Sequence, residues 1–179
     1  SANGCRWPES VRVPTTKDWP SGYYEATLKC ADSGGKFTHR GPRTAQSTLW
    51  FVGRPAEPGT KTKILLQLCT NTYKAYNGLS KNQGHKVSFD RPGPSQFARW
   101  EQPFVEWAER NGFALEIAAN NDLEFHPEML ARYKLVLSVG HDEYWSGPMR
   151  DNLEAYIAKG GNVAFFSGNT CCWQARSED

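Results

Sequence analysis

The order of apolar runs and helix-like segments beyond residue 60 is what most constrains the fold of this chain. Lys63 to Thr70 (KILLQLCT) is an apolar run with the pattern of a strand buried on both faces. Residues 95–111 follow with Phe97, Trp100, Phe104 and Trp107 at spacings of three and four. That spacing predicts an amphipathic helix, ended by Gly112 and kinked or restarted at Pro103. Phe113 to Ala118 reads as a strand, His126-Pro127 opens a short helix, and Tyr133 to Val139 is another buried strand. Ser146 can cap a helix starting near Pro148, with Met149, Leu153, Tyr156 and Ile157 on one face and Gly160-Gly161 as its stop. Asn162 to Ser167 supplies one more strand. This β-α-β-α-β-α-β order predicts an α/β fold, a parallel sheet with helices on both faces.

The first 60 residues differ. Tyr24, Ala26 and Leu28 alternate with polar neighbours, Ser47 to Val52 is strand-like, and turn signals such as Trp19-Pro20-Ser21-Gly22 and Gly34-Gly35 lie around them. The chain is therefore read as a β-rich segment over 1–60 followed by an α/β domain over 61–179. At 179 residues it is long enough for a real core. A net charge of +2 with scattered Lys and Arg gives no electrostatic case for nucleic acid or an anionic membrane. No stretch approaches the ~20 apolar residues of a membrane span, and the first residues, Ser1-Ala2-Asn3-Gly4-Cys5-Arg6, are not a signal peptide. The five cysteines have no C-x-x-C spacing, so neither a disulfide framework nor a zinc site is indicated. Cys5 and Cys30 could pair only if the fold joins them. A reducing, cytoplasmic setting is the expectation.

In parallel sheets of this kind ligands bind beyond the carboxyl ends of the strands. That rule selects three turns, 70–78, 140–146 and 167–174, which hold most of the reactive side chains. The first carries Tyr73 and Tyr76; the bland reading is a polar turn. The second is HDEYW, where Asp142 and Glu143 could simply complement a helix N-terminus. The third contains Asn169, Thr170 and Cys171 after the sharp exit at Gly168; Trp173 there and Trp145 in the second turn are pocket walls or packing. Carboxylate and phenolate oxygens suit a hard cation such as Fe(III), with His141 as a base. Cys171 with His141 and Glu143 would instead suit a thiol hydrolase. Spacing does not choose between them.

The segments TNTYKAYN, VSFDRPG, GHDEYWSGPMRDNLEAYIAKGGNVAFFSGNT and WQAR, with WPSGYYEATL nearer the start, resemble the C-terminal domain family of the large (beta) subunit of N,N-dimethylformamidase. The likeness runs from about residue 19 to 176. It implies a flavodoxin-like fold of the class I glutamine amidotransferase type, with further strands in relatives beyond the position of Asp179. It also implies a mononuclear iron, Fe(III), held by two tyrosines and a glutamate. Glu143 matches the glutamate, Tyr76 one tyrosine, and Tyr24 the other, with Tyr23 and Tyr73 as alternatives. His141 and Asn169 match a nearby histidine and asparagine. The implied activity is hydrolysis of a linear C–N bond in a small amide, with iron as Lewis acid, His141 moving protons and Asn169 donating to substrate or oxyanion. A small subunit or a second copy of the chain is the implied partner. A ligand-binding domain without catalysis and a metal-free thiol hydrolase through Cys171 are the other classes.

Overall fold

The computed structural model describes residues 4–9, 11–29, 46–77, 86–90 and 93–178; Cys30, His85 and the loop after Asn77 that contains it lie outside them. The chain opens with an antiparallel hairpin, β1 (Gly22–Lys29) paired with β2 (Gln46–Gly53). Then come β3 (Ile64–Leu68), α1 (Thr70–Ala75), α2 (Glu101–Arg110), β4 (Glu116–Ala119), α3 (Asn120–Phe125) and a 3-10 helix, Pro127–Arg132. β5 (Leu135–His141), β6 (Tyr144–Ser146), α4 (Gly147–Ala158), β7 (Asn162–Gly168) and β8 (Trp173–Ala175) complete the described order.

Four strands, β4-β3-β5-β7, form one parallel sheet. β3 enters first and lies inside; β4 adds on one side of it, β5 and β7 on the other. The direction of addition reverses between β3 and β5, and such a reversal opens a crevice at the carboxyl ends of the two strands. α1 leaves β3 at that point and the HDEYW segment leaves β5 there.

Alternating residues of the strands divide the core in two. Leu65, Ala118 and Val136 face Leu123 of α3, Met129 and Leu130 of the 3-10 helix, and Met149, Leu153 and Tyr156 of α4. Leu66, Leu68, Ile117, Leu137 and Val139 face the opposite way, toward Phe97, Phe104, Val105 and the hairpin residues Tyr23 and Val52. Helices thus lie on both faces, but on the second face α2 shares the cover with the β1–β2 hairpin.

Several local expectations change. Residues 70–75, read as a turn, form a short helix with Thr72 and Tyr73 buried. The helix expected over 95–111 begins only at Glu101, which puts Pro103 in its first turn, where the missing N–H breaks no helical bond. α3 and the small parallel pair β6–β8 had no sequence signal. Ser146 does cap α4, its Oγ accepting from the Met149 N–H at 3.2 Å.

Gly140, next to last in β5, has φ +95°, and a Cβ there would lie 2.5 Å from Trp100 Cβ. Only glycine allows β5 to turn into the site beneath that indole. Gly140→Ala is expected to cost about 1–3 kcal/mol in backbone strain alone, read as a lower urea midpoint with an unchanged denaturant slope.

Candidate functional site

The site is built on Glu143, two residues beyond β5 and nearly buried at 6% exposure. Its Oε2 accepts from the Tyr76 hydroxyl at 2.5 Å and lies 3.2 Å from His141 Nε2. Its Oε1 accepts from Trp173 Nε1 at 3.1 Å. A phenol, an imidazole and an indole therefore converge on one carboxylate.

Each of these groups arrives from a different element of the fold. His141 is the last residue of β5, where it pairs with Gly168 of β7. Tyr76 follows α1 directly, its ring 5.5 Å from the His141 ring. One turn earlier on α1, Thr72 Oγ1 accepts from the Glu143 N–H at 2.9 Å, so the helix that delivers the phenol also grips the backbone of the carboxylate. Trp173 begins β8, and its own N–H donates to the Glu143 carbonyl at 2.9 Å.

Tyr76 is pushed up to about 12, first by its hydrogen bond to Glu143, then by burial and by the Glu143 charge. Tyr144, whose ring meets Tyr76 edge-on at 6.2 Å, is also raised, by burial first and then by Glu143. Asp142 does not serve as a charge at the helix end: it is fully buried, and α4 has no acidic residue in its first turn. Burial pushes its carboxyl up, while donors led by Ser138 and Asn120 pull it back.

The remaining sequence-derived residues are distributed as follows. Asn169 follows Gly168 directly, with φ +51°, so it stands at the rim beside His141. Tyr24 is not brought to Glu143: its hydroxyl donates to the Pro20 carbonyl at 2.5 Å and its ring stacks on Phe51. Tyr23 points the other way, stacked on Phe97 with its hydroxyl 2.6 Å from Ser95 Oγ. Tyr73 is buried and donates to Glu101, and its phenol is raised far above the usual range by burial and by that carboxylate. Cys171 is exposed; its N–H donates to the Asp142 carbonyl, and among the described residues no hydrogen bond joins its thiol to His141. Trp145 is packing, its indole N–H on the Asp142 carbonyl at 3.0 Å. Thr72 is the contact that the sequence concealed, since nothing marks that hydroxyl among the polar residues of TNTYKAYN.

Carboxylate and phenol oxygens with an imidazole beside them are a donor set that suits a hard cation. Among the described residues no group of three or more His, Cys, Asp or Glu converges, so such an ion would depend on the phenols. A groove of about 770 Å³ lies elsewhere, between the 3-10 helix and the end of α4, lined by Leu130, Tyr133, Tyr156 and Lys134. Its lining gathers no imidazole or thiol. No helix among the described residues is long and apolar enough to cross a membrane.

The Tyr76–Glu143 pair makes a pH prediction. A phenol raised in the folded state stabilises the fold fully below its unfolded value near 10, and that share is lost as pH rises through about 12. Glu143→Gln removes the charge that opposes ionisation. Ultraviolet difference titration against Tyr76→Phe should then show Tyr76 ionising at a lower pH than in the parent protein.

Comparison with known proteins shows the family. The sequence model of the family described as N,N-dimethylformamidase beta subunit-like, C-terminal, matches residues 1–179. The N,N-dimethylformamidase beta subunit of Alcaligenes sp is 35% identical over 212 residues, covering 94% of this chain and 28% of that protein. The subunit of the same name from Paracoccus aminophilus is 34% identical over 79 residues, covering 41% of this chain and 10% of its own length. The chain thus spans between a quarter and a third of the length of the Alcaligenes relative. It belongs to the N,N-dimethylformamidase beta subunit-like, C-terminal family.

Proposed function

We propose that this member of the family carries the reaction centre of an amide hydrolase acting on small linear amides, N,N-dimethylformamide among them. The observation that carries the reading is the convergence of Tyr76, His141 and Trp173 on the nearly buried Glu143 at the crevice between β3 and β5. The relatives' name, N,N-dimethylformamidase, supplies the substrate class. The strand order, 2-1-3-4 when the sheet strands are numbered along the chain, supports a flavodoxin-like fold of the class I glutamine amidotransferase type. Residues 1–60 and 61–179 are read as a β-rich segment and the α/β domain it covers.

Glu143 and Tyr76 are the residues that would hold Fe(III); the second phenol of the family match, Tyr24, with Tyr23 and Tyr73 as alternatives, has its hydroxyl engaged elsewhere, on Pro20, Ser95 and Glu101 respectively, so the fit is partial. The ion would supply Lewis acidity toward an amide oxygen or water. The chain's own groups divide the rest. His141 takes the proton from the attacking water and returns it to the amine nitrogen as the C–N bond breaks, so that amide and water become carboxylic acid and amine. Asn169, at the rim, donates to the oxyanion that develops on the carbonyl oxygen. Trp173 and Thr72 hold Glu143 from its side chain and its backbone, so the carboxylate does not swing to solvent. The relatives are named as subunits, and a small subunit or a second copy is the partner this reading assigns.

Freshly purified protein should hold near-stoichiometric iron by mass spectrometry and show a visible tyrosinate charge-transfer band, both lost in Glu143→Gln. Dimethylamine release from N,N-dimethylformamide should fall about 10²–10⁴-fold in His141→Ala. A folded protein that takes up no iron after reconstitution with Fe(II) or Fe(III) would sink the iron reading. Unchanged turnover in His141→Ala would remove the proton-transfer role.

A further inference from the structure

We infer that Asp142, between the two reactive residues, is a positioning residue. Its buried side chain is the acceptor on which the three turns of the site are hung, and it aims His141 and Glu143 to the same side. The inference rests on the reading of that site as the reaction centre.

Asp142 is 0% exposed, and its side chain meets Gln67, Ser138 and Asn120 while its neighbours His141 and Glu143 meet each other. Three donors meet it. Ser138 of β5 gives its hydroxyl proton to Oδ2 at 2.7 Å, Gln67 of β3 donates to the same oxygen, and Asn120 of α3 donates to Oδ1 at 3.3 Å.

The directions of these bonds are fixed by what lies behind them. Asn120 Oδ1 accepts from the Asn71 N–H of α1 at 3.0 Å, so its amide nitrogen must face inward, where it also donates to Gln67 Oε1 at 2.8 Å. Gln67, with its oxygen so occupied, can present only its nitrogen to Asp142. On the other side a hydroxyl has one proton to give. Ser138 shares that proton between Asp142 Oδ2 at 2.7 Å and Ser167 Oγ at 2.9 Å. Thr170 lies 2.7 Å from Ser167 Oγ and donates to the Ser167 carbonyl at 3.1 Å. Hydrogen bonds thus link Asp142 to α1 through Asn120, and through Ser138 and Ser167 to the turn that carries Asn169. The backbone adds to the same arrangement: the Asp142 N–H donates to the Gly168 carbonyl, and its own carbonyl accepts from the Cys171 N–H.

An amide in place of this carboxyl is thus not a conservative replacement. Turned one way, the amide nitrogen introduced by Asp142→Asn would meet Asn120 Nδ2; turned the other, it would meet Gln67 Nε2. Either way two donors collide in a dry interior, although size and shape are nearly unchanged.

The test uses Asp142→Asn and, as a gentler variant, Ser138→Ala, in full-length protein with ¹³C-labelled histidine. In Asp142→Asn the His141 ring resonance should move while that of the remote, surface-lying His126 stays in place. With N,N-dimethylformamide as substrate, kcat should fall about 100-fold with KM within about threefold. Ser138→Ala should move the resonance in the same direction by less, and it decides the matter if Asp142→Asn does not fold. A His141 resonance at the parental position, with kcat within about twofold, would overturn the role. Should the parent protein hydrolyse no amide, the reading as an amidase fails, yet the His141 resonance still decides whether Asp142 positions it.

Discussion

The structure turns on one carboxylate taken almost wholly out of water. Removing an ionised group from solvent costs several kcal/mol unless donors replace the lost hydration. At Glu143 the replacements are a phenol and an indole N–H, with an imidazole at 3.2 Å. None of them is a neighbour on the same helix or strand. The imidazole comes from two residues earlier in the same turn, but the phenol and the indole come from other segments, and the phenol's segment meets it because β3 and β5 lie side by side and their following turns share one crevice. The parallel sheet is thus the device by which distant residues are brought to one carboxylate.

Much of this was legible in the sequence, and for physical reasons. Buried parallel strands read as unbroken apolar runs, so β3, β5 and β7 were found within two residues at each end, as was α4 with its Ser146 cap. The rule that ligands sit beyond the carboxyl ends of such strands selected three turns, and the fold brings Glu143, His141 and Tyr76 of those turns together. α1 was missed because Thr70, Asn71 and Thr72 are poor helix formers; burial of Thr72 and Tyr73, not propensity, holds that turn.

The adjacent tyrosines of SGYY show a different limit. Successive side chains on a strand point to opposite faces, so a shift of one residue exchanges inside and outside. Pattern alone could not say that Tyr23 packs inward on Phe97 while Tyr24 turns out to Phe51. Trp173 was visible as an aromatic at a turn, but its bond to Glu143 depends on the β6–β8 pairing, which three-residue strands do not announce.

The spacing of the site along the chain has a consequence for how it comes into being. Tyr76 and Glu143 are 67 residues apart, and Glu143 and Trp173 are 30 apart. Closing loops of that length before the sheet exists has only entropy against it and little to hold it. Once β3, β5 and β7 have paired, the same contacts cost little more than a rotamer. The cluster is therefore a late product of folding, complete only after the tertiary sheet, and no excised peptide from any one of the three turns would carry it.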